Sequence, residues 1–214
     1  MEKIVELQDI GKKYGTRDIL KDFNLDIFEG EMLAIKGKSG SGKTTILNII
    51  GLLEKEDSGT VKILGEPKPP LRSRKAKYML RNEISYLFQN FALIEDVSVE
   101  ENLKIPLLYS KKNKKEQQKS MIEALAQVGL GNVLKTKVHA LSGGEQQRVA
   151  IARILLRPCK LILADEPTGS LDETLRDEIF SILESLNKKG MTIVIVTHDP
   201  IIAARCHRTI ELGC

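Results

Sequence analysis

Gly37-Lys38-Ser39-Gly40-Ser41-Gly42-Lys43-Thr44 fits the phosphate-binding pattern G-x-x-x-x-G-K-[ST] at every position. The apolar Met32-Leu33-Ala34-Ile35 before it predicts a short buried strand, and Thr45 to Ile50 after it predicts a helix. That context gives the glycines a purpose. They let the backbone turn so that successive N–H groups wrap an anion, and the helix start adds unpaired donors. Lys43 can then reach β- and γ-phosphates, and the Thr44 hydroxyl can ligate Mg²⁺. Three other strand ends deliver polar groups. Gln89 follows Ile84–Phe88, where a neutral amide can contact a metal or a water without adding charge. Asp165 and Glu166 end the apolar run Leu161–Ala164. Neighbouring strand residues point to opposite sides, so Asp165 can hold Mg²⁺, usually through water, while Glu166 takes a proton from an attacking water. His198 follows the strand Met191–Val196 and can bond a γ-phosphate or orient that water.

Two further features fit less simply. Ser142 and Glu145 form a capping box that opens a helix expected over Gln146–Arg157. Gly143 and Gly144 in its first turn each cost about 1 kcal/mol relative to Ala, which suggests that something approaches the backbone closely. A phosphate suits free N–H groups there, yet the chain already holds one phosphate loop. Tyr14 lies on an expected turn, Gly11–Thr16, between two strands. Its ring either stacks on a nucleotide base or covers the edge of a sheet.

The elements that position these residues follow from periodicity. Val5 and Leu7, then Phe23, Leu25 and Ile27, alternate with polar residues as strands, and Glu29-Gly30-Glu31 reads as a hairpin turn. A small antiparallel sheet therefore precedes the phosphate loop. Thr60–Leu64 is another strand, and Arg72–Arg81 a basic helix. The segment from Phe91 to Leu156 reads mostly as helix, with capping boxes at Ser98/Glu101 and Ser120/Glu123 and an apolar face of Ile122, Leu125 and Val128. Leu175, Ile179, Ile182, Leu183 and Leu186 mark a later amphipathic helix that stops at Gly190. Both the basic helix and Lys111–Lys115 read as solvated faces, with attraction to anionic lipid as a minor reading for the second.

Composition excludes several classes. The 214 residues carry a net charge of +4, 42% hydrophobic residues, no Trp and few aromatics. That gives no case for nucleic acid as a partner. No apolar run reaches the ~18–20 residues a membrane span needs, and the first residues lack the apolar core of a signal peptide. Cys159, Cys206 and Cys214 match no metal spacing and read as reduced thiols in a cytosol.

Taken together, these motifs resemble the nucleotide-binding subunit of ATP-binding-cassette (ABC) transporters over nearly the whole chain. Gly37–Thr44 corresponds to Walker A, Gln89 to the Q-loop, Leu141–Glu145 to the ABC signature, Leu161–Glu166 to Walker B, Ser170-Leu171-Asp172 to the D-loop and His198 to the switch histidine. Tyr14 is similar to the adenine-stacking A-loop residue. The resemblance implies an α/β fold: a phosphate-loop NTPase (RecA-like) core with an N-terminal antiparallel β subdomain and an inserted α-helical subdomain. The single ABC ATPase domain would span 1–214, with 1–90 and 157–214 forming the β subdomain and core, and 91–156 the helical subdomain. It implies ATP and Mg²⁺ as cofactors. The nucleotide residues would be Tyr14, Gly37, Lys38, Ser39, Gly40, Ser41, Gly42, Lys43, Thr44 and Thr45, with Ser142, Gly143, Gly144 and Glu145 acting on a partner's ATP. Lys43, Gln89, Glu166 and His198 would serve catalysis, and Thr44, Gln89 and Asp165 the metal.

In this family two cassettes pair head to tail, which resolves the second anion site: it serves the ATP held by a second copy or a homologous cassette. Phe88–Ile94, Pro167–Asp172 and Asn48–Gly51 are similar to the lipoprotein-release, macrolide-export and bacteriocin-export branch. The implied function is ATP hydrolysis that drives a separate integral membrane permease at the cytoplasmic face of the cell membrane, exporting peptide, lipoprotein or drug. A cell-division-type or other non-transport ABC ATPase is the alternative. The signature argues against a phosphate-loop kinase. One departure is the ending at Glu211-Leu212-Gly213-Cys214, soon after His198, where relatives often continue; a minimal or shortened cassette is expected.

Overall fold

The computed structural model describes residues 2–157, 159–169 and 171–213. β1 (Lys3–Tyr14) and β2 (Arg17–Phe28) pair antiparallel across the two-residue turn Gly15-Thr16. That turn is shorter than the expected Gly11–Thr16, because pairing continues through Lys12 with Leu20 and Tyr14 with Arg17. Glu29-Gly30 does turn the chain, but it makes no hairpin. β3 (Met32–Gly37) leaves for a second sheet, between β8 (Thr192–Val196) and β9 (Arg208–Leu212). α1 (Lys43–Ile50) follows the phosphate loop. β4 (Ser58–Ile63) then returns to the free side of β1, and β5 (Glu66–Pro67) closes a four-stranded antiparallel sheet in the order β2-β1-β4-β5.

The second sheet is parallel, in the order β6-β7-β8-β3-β9, with β6 at Ile84–Leu87 and β7 at Leu161–Asp165. Its inner strands β7, β8 and β3 are buried and largely apolar on both sides, as in a sheet covered on both faces. Leu33, Ile35, Leu161, Leu163, Val194 and Val196 pack toward α1 and the antiparallel sheet. Met32, Ile162, Ala164, Ile193 and Ile195 face the other way, toward the helices. α1 sits between the two sheets, with Ile46, Leu47, Ile49 and Ile50 fully buried. Burying each such side chain is worth about 1.5–3 kcal/mol, so α1 is held by packing although it is only two turns long.

Between β6 and β7 lie α3 (Val99–Lys104), α4 (Lys114–Gln127) and α5 (Gly143–Leu155); α2 (Arg74–Asn82) precedes β6. The Ser98/Glu101 and Ser142/Glu145 boxes form as expected. The Ser120/Glu123 box does not. α4 already starts at Asn113, whose side chain caps Glu116 N while Glu116 returns the bond, and Ser120 falls inside the helix. The buried face of α4 is Met121, Ala124 and Leu125, continued by Val128, and Ile122 is exposed, one position off that stripe. α5 begins at Gly143 rather than Gln146 and ends at Leu155.

α6 (Glu173–Lys188) buries Ile179, Phe180, Leu183 and Leu186 against the sheet. α7 (Pro200–Arg205) and β9 occupy the stretch after His198, for which periodicity gave no element. Arg208-Thr209-Ile210-Glu211-Leu212 does alternate polar and apolar residues, which was the available signal. Ser170, assigned above to the D-loop, and Cys214 lie outside the described residues; Cys159 is buried, and Cys206 is largely so.

Candidate nucleotide site

All five strands of the second sheet run the same way, so their C-terminal ends share one edge, where ligands bind in open α/β sheets. β3 delivers the phosphate loop there. β6 leads to Gln89, β7 to Asp165 and Glu166, and β8 to His198. Gly37, Ser39, Gly40, Gly42, Lys43, Thr44, Gln89, Asp165, Glu166 and His198 meet around one cavity of about 370 Å³. Residues from four separate strand ends thus converge as the sequence spacing suggested. Lys38, Ser41 and Thr45 are not among the residues that line it.

The loop is built to hold an anion. Six of the seven α-helices among the described residues have a side chain bonded to a first-turn N–H. α1 has none. Its N-cap is Gly42, at φ 96°, where a Cβ would come within 2.9 Å of Ile19. The left-handed turn and the close packing both demand glycine, and the first-turn donors stay open toward the cavity. Lys43 Nζ donates to the carbonyls of Gly37 (2.8 Å) and Lys38 (2.9 Å), so its ammonium is folded over the loop. The Ser41 hydroxyl is buried and has no partner.

The metal candidates are adjacent. Thr44 Oγ1 donates to Asp165 Oδ1 at 3.3 Å, and Gln89 lines the same wall. Hydroxyl, carboxylate and amide oxygens are a hard donor set that suits Mg²⁺. Burial pushes the Asp165 carboxyl above its ordinary range, against the Thr44 hydrogen bond, and the neighbouring Glu166 adds to the rise. A bound cation works in the opposite sense and favours the carboxylate.

Glu166 is aimed by a device other than strand alternation. β7 ends at Asp165, and Glu166 takes φ 46°, the left-handed region, with its N–H donating to Val196 O at 2.9 Å. A non-glycine residue pays roughly 1–2 kcal/mol for that conformation, and such strain clusters at working sites. His198 Nδ1 lies 2.9 Å from Glu166 Oε2 but without the alignment of a hydrogen bond, and that buried oxygen is unpartnered. A glutamate that lines a polar cavity and keeps one oxygen unpartnered is suited to take a proton from a water.

Ser142, Gly143, Gly144 and Glu145 do not line this cavity. Ser142 accepts from Glu145 N at 3.3 Å, and the Glu145 carboxylate accepts from Ser142 N at 2.8 Å, which holds that carboxyl below its ordinary range. Glu145 therefore shapes the helix start rather than facing outward. The two glycines have different reasons. A Cβ on Gly144 would strike Leu175 of α6 at 2.9 Å, whereas one on Gly143 would meet nothing within 4 Å. Close internal packing accounts for Gly144, and only Gly143 presents backbone to open space. α5 is tied to the rest of the site by two contacts that sequence spacing did not reveal. Gln147 Nε2 donates to Pro167 O at 2.7 Å, and Arg153 donates to the carbonyls of Phe91 (3.0 Å) and Ala92 (2.5 Å) just past Gln89.

Tyr14 is the last residue of β1, not part of a turn, and its ring is half exposed. Its hydroxyl donates to Glu54.

Residues 20–169 match the sequence model of the ABC transporter family. The chain belongs to the ABC transporter family. Over 99% of its length the cassette is 40% identical to the macrolide export ATP-binding/permease protein MacB of Escherichia coli strain K12. It spans 33% of that relative. The likeness to the macrolide-export branch is thereby borne out. Its fold is the expected α/β phosphate-loop NTPase. It superposes on the ATP-binding cassette MJ0796, solved as a dimer in a post-hydrolysis state with ADP and Pi, with a TM-score of 0.89 and 39% identity over 98% of this chain and 94% of that one. A second solved relative is cbiO1 of Clostridium perfringens, part of the complex cbiONQ, with a TM-score of 0.86 and 30% identity over 100% of this chain and 86% of that one. By family and fold the chain is thus a cassette of the ABC type.

Proposed function

We propose that this cassette hydrolyses Mg-ATP between two head-to-tail copies and uses the cycle to drive a membrane permease on another chain, as an exporter of peptide, lipoprotein or drug at the cytoplasmic face of the membrane. The observation that carries the reading is a division of labour. Lys43, Thr44, Gln89, Asp165, Glu166 and His198 surround one cavity, while the Ser142–Glu145 helix start lies outside it in the same chain. In this reading Gly37–Thr45 hold the triphosphate, Tyr14 stacks on adenine, Thr44, Asp165 and Gln89 hold Mg²⁺, Glu166 takes the proton and His198 steadies the γ-phosphate. The metal supplies charge neutralisation on the phosphates. Ser142 and Gly143 meet the partner copy's nucleotide, and residues 91–156 act as a helical subdomain.

The permease has a candidate seat. A groove of about 610 Å³ is lined by Phe88, next to Gln89 in the chain, by Leu108 and Tyr109, and by Lys77, Arg81 and Arg157. Arg81 lies 3.5 Å from the centre of the Tyr109 ring, and among the described residues no carboxylate lines the groove. None of the described helices is long and apolar enough to cross a membrane. MacB is named as both ATP-binding protein and permease, which joins such a cassette to a permease in a relative. Affinity capture from detergent-solubilised membranes should recover an integral membrane protein with the native cassette. Arg81→Glu should abolish that recovery and leave ATP hydrolysis by the isolated cassette within about twofold, because only the groove charge changes. Recovery of soluble partners alone overturns the transport reading in favour of a non-transport ABC ATPase.

A further inference from the structure

We propose that Glu54 is a positioning residue for nucleotide binding, which sets the Tyr14 ring at a fixed place relative to the phosphate loop. This rests on the reading of Tyr14 as the base-stacking residue. Tyr14 ends β1 beside the two-residue turn Gly15-Thr16 at the tip of a hairpin. A half-exposed ring at such a tip has little packing to fix its direction. Its hydroxyl, however, donates to the Glu54 carboxylate, whose own side chain is only 19% exposed.

Glu54 in turn is anchored to the phosphate-binding helix. Leu53 N and Glu54 N both donate to Asn48 O of α1, at 2.9 and 3.1 Å. The Glu54 carbonyl accepts from Lys68 Nζ at 2.8 Å. Its carboxylate pairs with Lys12 Nζ at 3.2 Å, and that ammonium also lies 5.5 Å from the centre of the Tyr14 ring. Lys12 further bonds Lys55 O at 2.7 Å, and Asp57 accepts from Lys13 N at 2.8 Å. The segment after α1 is thus stitched to the end of β1.

The ring is therefore tied, through Glu54, to the far end of the helix that starts at the phosphate loop. A base and its triphosphate are joined at a set distance, so a platform held at that distance needs no ordering when ATP arrives. A freely rotating ring pays that ordering on every binding event. A carboxylate near a triphosphate offers no attraction of its own, which leaves positioning as its contribution.

Displacement of a fluorescent ATP analogue, by ATP and separately by inorganic tripolyphosphate, separates the outcomes. Tripolyphosphate uses the phosphate loop but has no base to stack. Glu54→Ala should weaken ATP by about three- to tenfold, the range of one hydrogen bond, and leave tripolyphosphate unchanged. KM should rise accordingly while kcat stays within about twofold, since chemistry occurs at the far end of the nucleotide. Glu54→Gln keeps an acceptor oxygen and should recover most of the affinity. Tyr14→Phe removes the other half of the bond, so it should match Glu54→Ala, and the double variant should be no weaker than either.

Wild-type ATP affinity in Glu54→Ala, equal loss for both probes, or an additive double variant each overturns the proposal. So does a Gln variant as weak as Ala. Should Glu54→Ala not fold, Tyr14→Phe with unchanged ATP affinity overturns it alone. Tyr14→Ala should cost more, about 5- to 150-fold in ATP affinity, the worth of a stacked base. Unchanged ATP binding in Tyr14→Ala refutes the stacking reading itself, a result distinct from failure at Glu54 only.

Discussion

Glu166→Gln should lower ATP hydrolysis by about 10²–10⁴, the usual cost of losing a general base. Size and most hydrogen bonding are kept, but the amide cannot take a proton. The substitution also removes a negative charge beside the γ-phosphate position, so ATP binding should not weaken. ATP would then persist between the phosphate loop of one copy and the Ser142-Gly143 helix start of the other, as glue across a closed two-fold interface. The variant is expected to run as a monomer without nucleotide and to shift toward a dimer with ATP. ADP should give no shift, since it lacks the phosphate that reaches the second helix. Ser142→Arg in the same background should abolish the shift by filling the anion site while the phosphate loop stays intact. Size-exclusion chromatography with light scattering reads this directly. Hydrolysis at the wild-type rate in Glu166→Gln refutes the base assignment. An inactive variant that stays monomeric in ATP refutes the head-to-tail reading for the isolated cassette.

Lys43→Ala should be nearly as damaging. Its ammonium is the one lysine cation lining the cavity among the described residues, so its loss removes the main side-chain charge offered to the γ-phosphate. Removing one such stabilising donor typically costs about 10²–10³ in rate. The fold should survive, because the bonds Lys43 makes are to the two loop carbonyls of Gly37 and Lys38, which water can satisfy. Steady-state phosphate release at saturating Mg-ATP, paired with a thermal melt, is the measurement. A normally folded Lys43→Ala protein with near-normal turnover sinks the assignment of the cavity.

Much of this site is legible in the sequence because each motif sits at a strand end. Apolar runs such as Leu161–Ala164 and Met191–Val196 predict buried strands, and parallel strands put their ends on one edge regardless of order. Contacts that depend on packing between distant segments are not legible in this way. Nothing near Gly144 in sequence announces Leu175, so its lack of a side chain reads as an invitation to a ligand when it is an accommodation of α6. The Arg153 bonds to Phe91 and Ala92 depend on two loop residues with φ of 61° and 48°, a conformation no residue type there predicts. Glu166 shows a correct role reached for an incomplete reason: the separation of two carboxylates comes from a left-handed turn after the strand. The Ser120 box fails because Asn113 offers the same chemistry one helix start earlier.

The placement of β3 has a consequence for how the chain is made. Met32 pairs with Ile193, and Gly37 pairs with Leu212, so both neighbours of the phosphate-loop strand emerge from the ribosome near the end of these residues. The β1–β2 hairpin and its partner β4 need only local contacts and can form early. β3 must wait, exposed and unpaired on both edges, until β8 and β9 arrive, and such long-range pairing is slow. A nascent or prematurely ended chain therefore carries the phosphate-binding sequence without the scaffold that shapes it. Competence to use ATP is acquired only once β8 and β9 have been made, which makes nucleotide binding itself a report that the parallel sheet has closed.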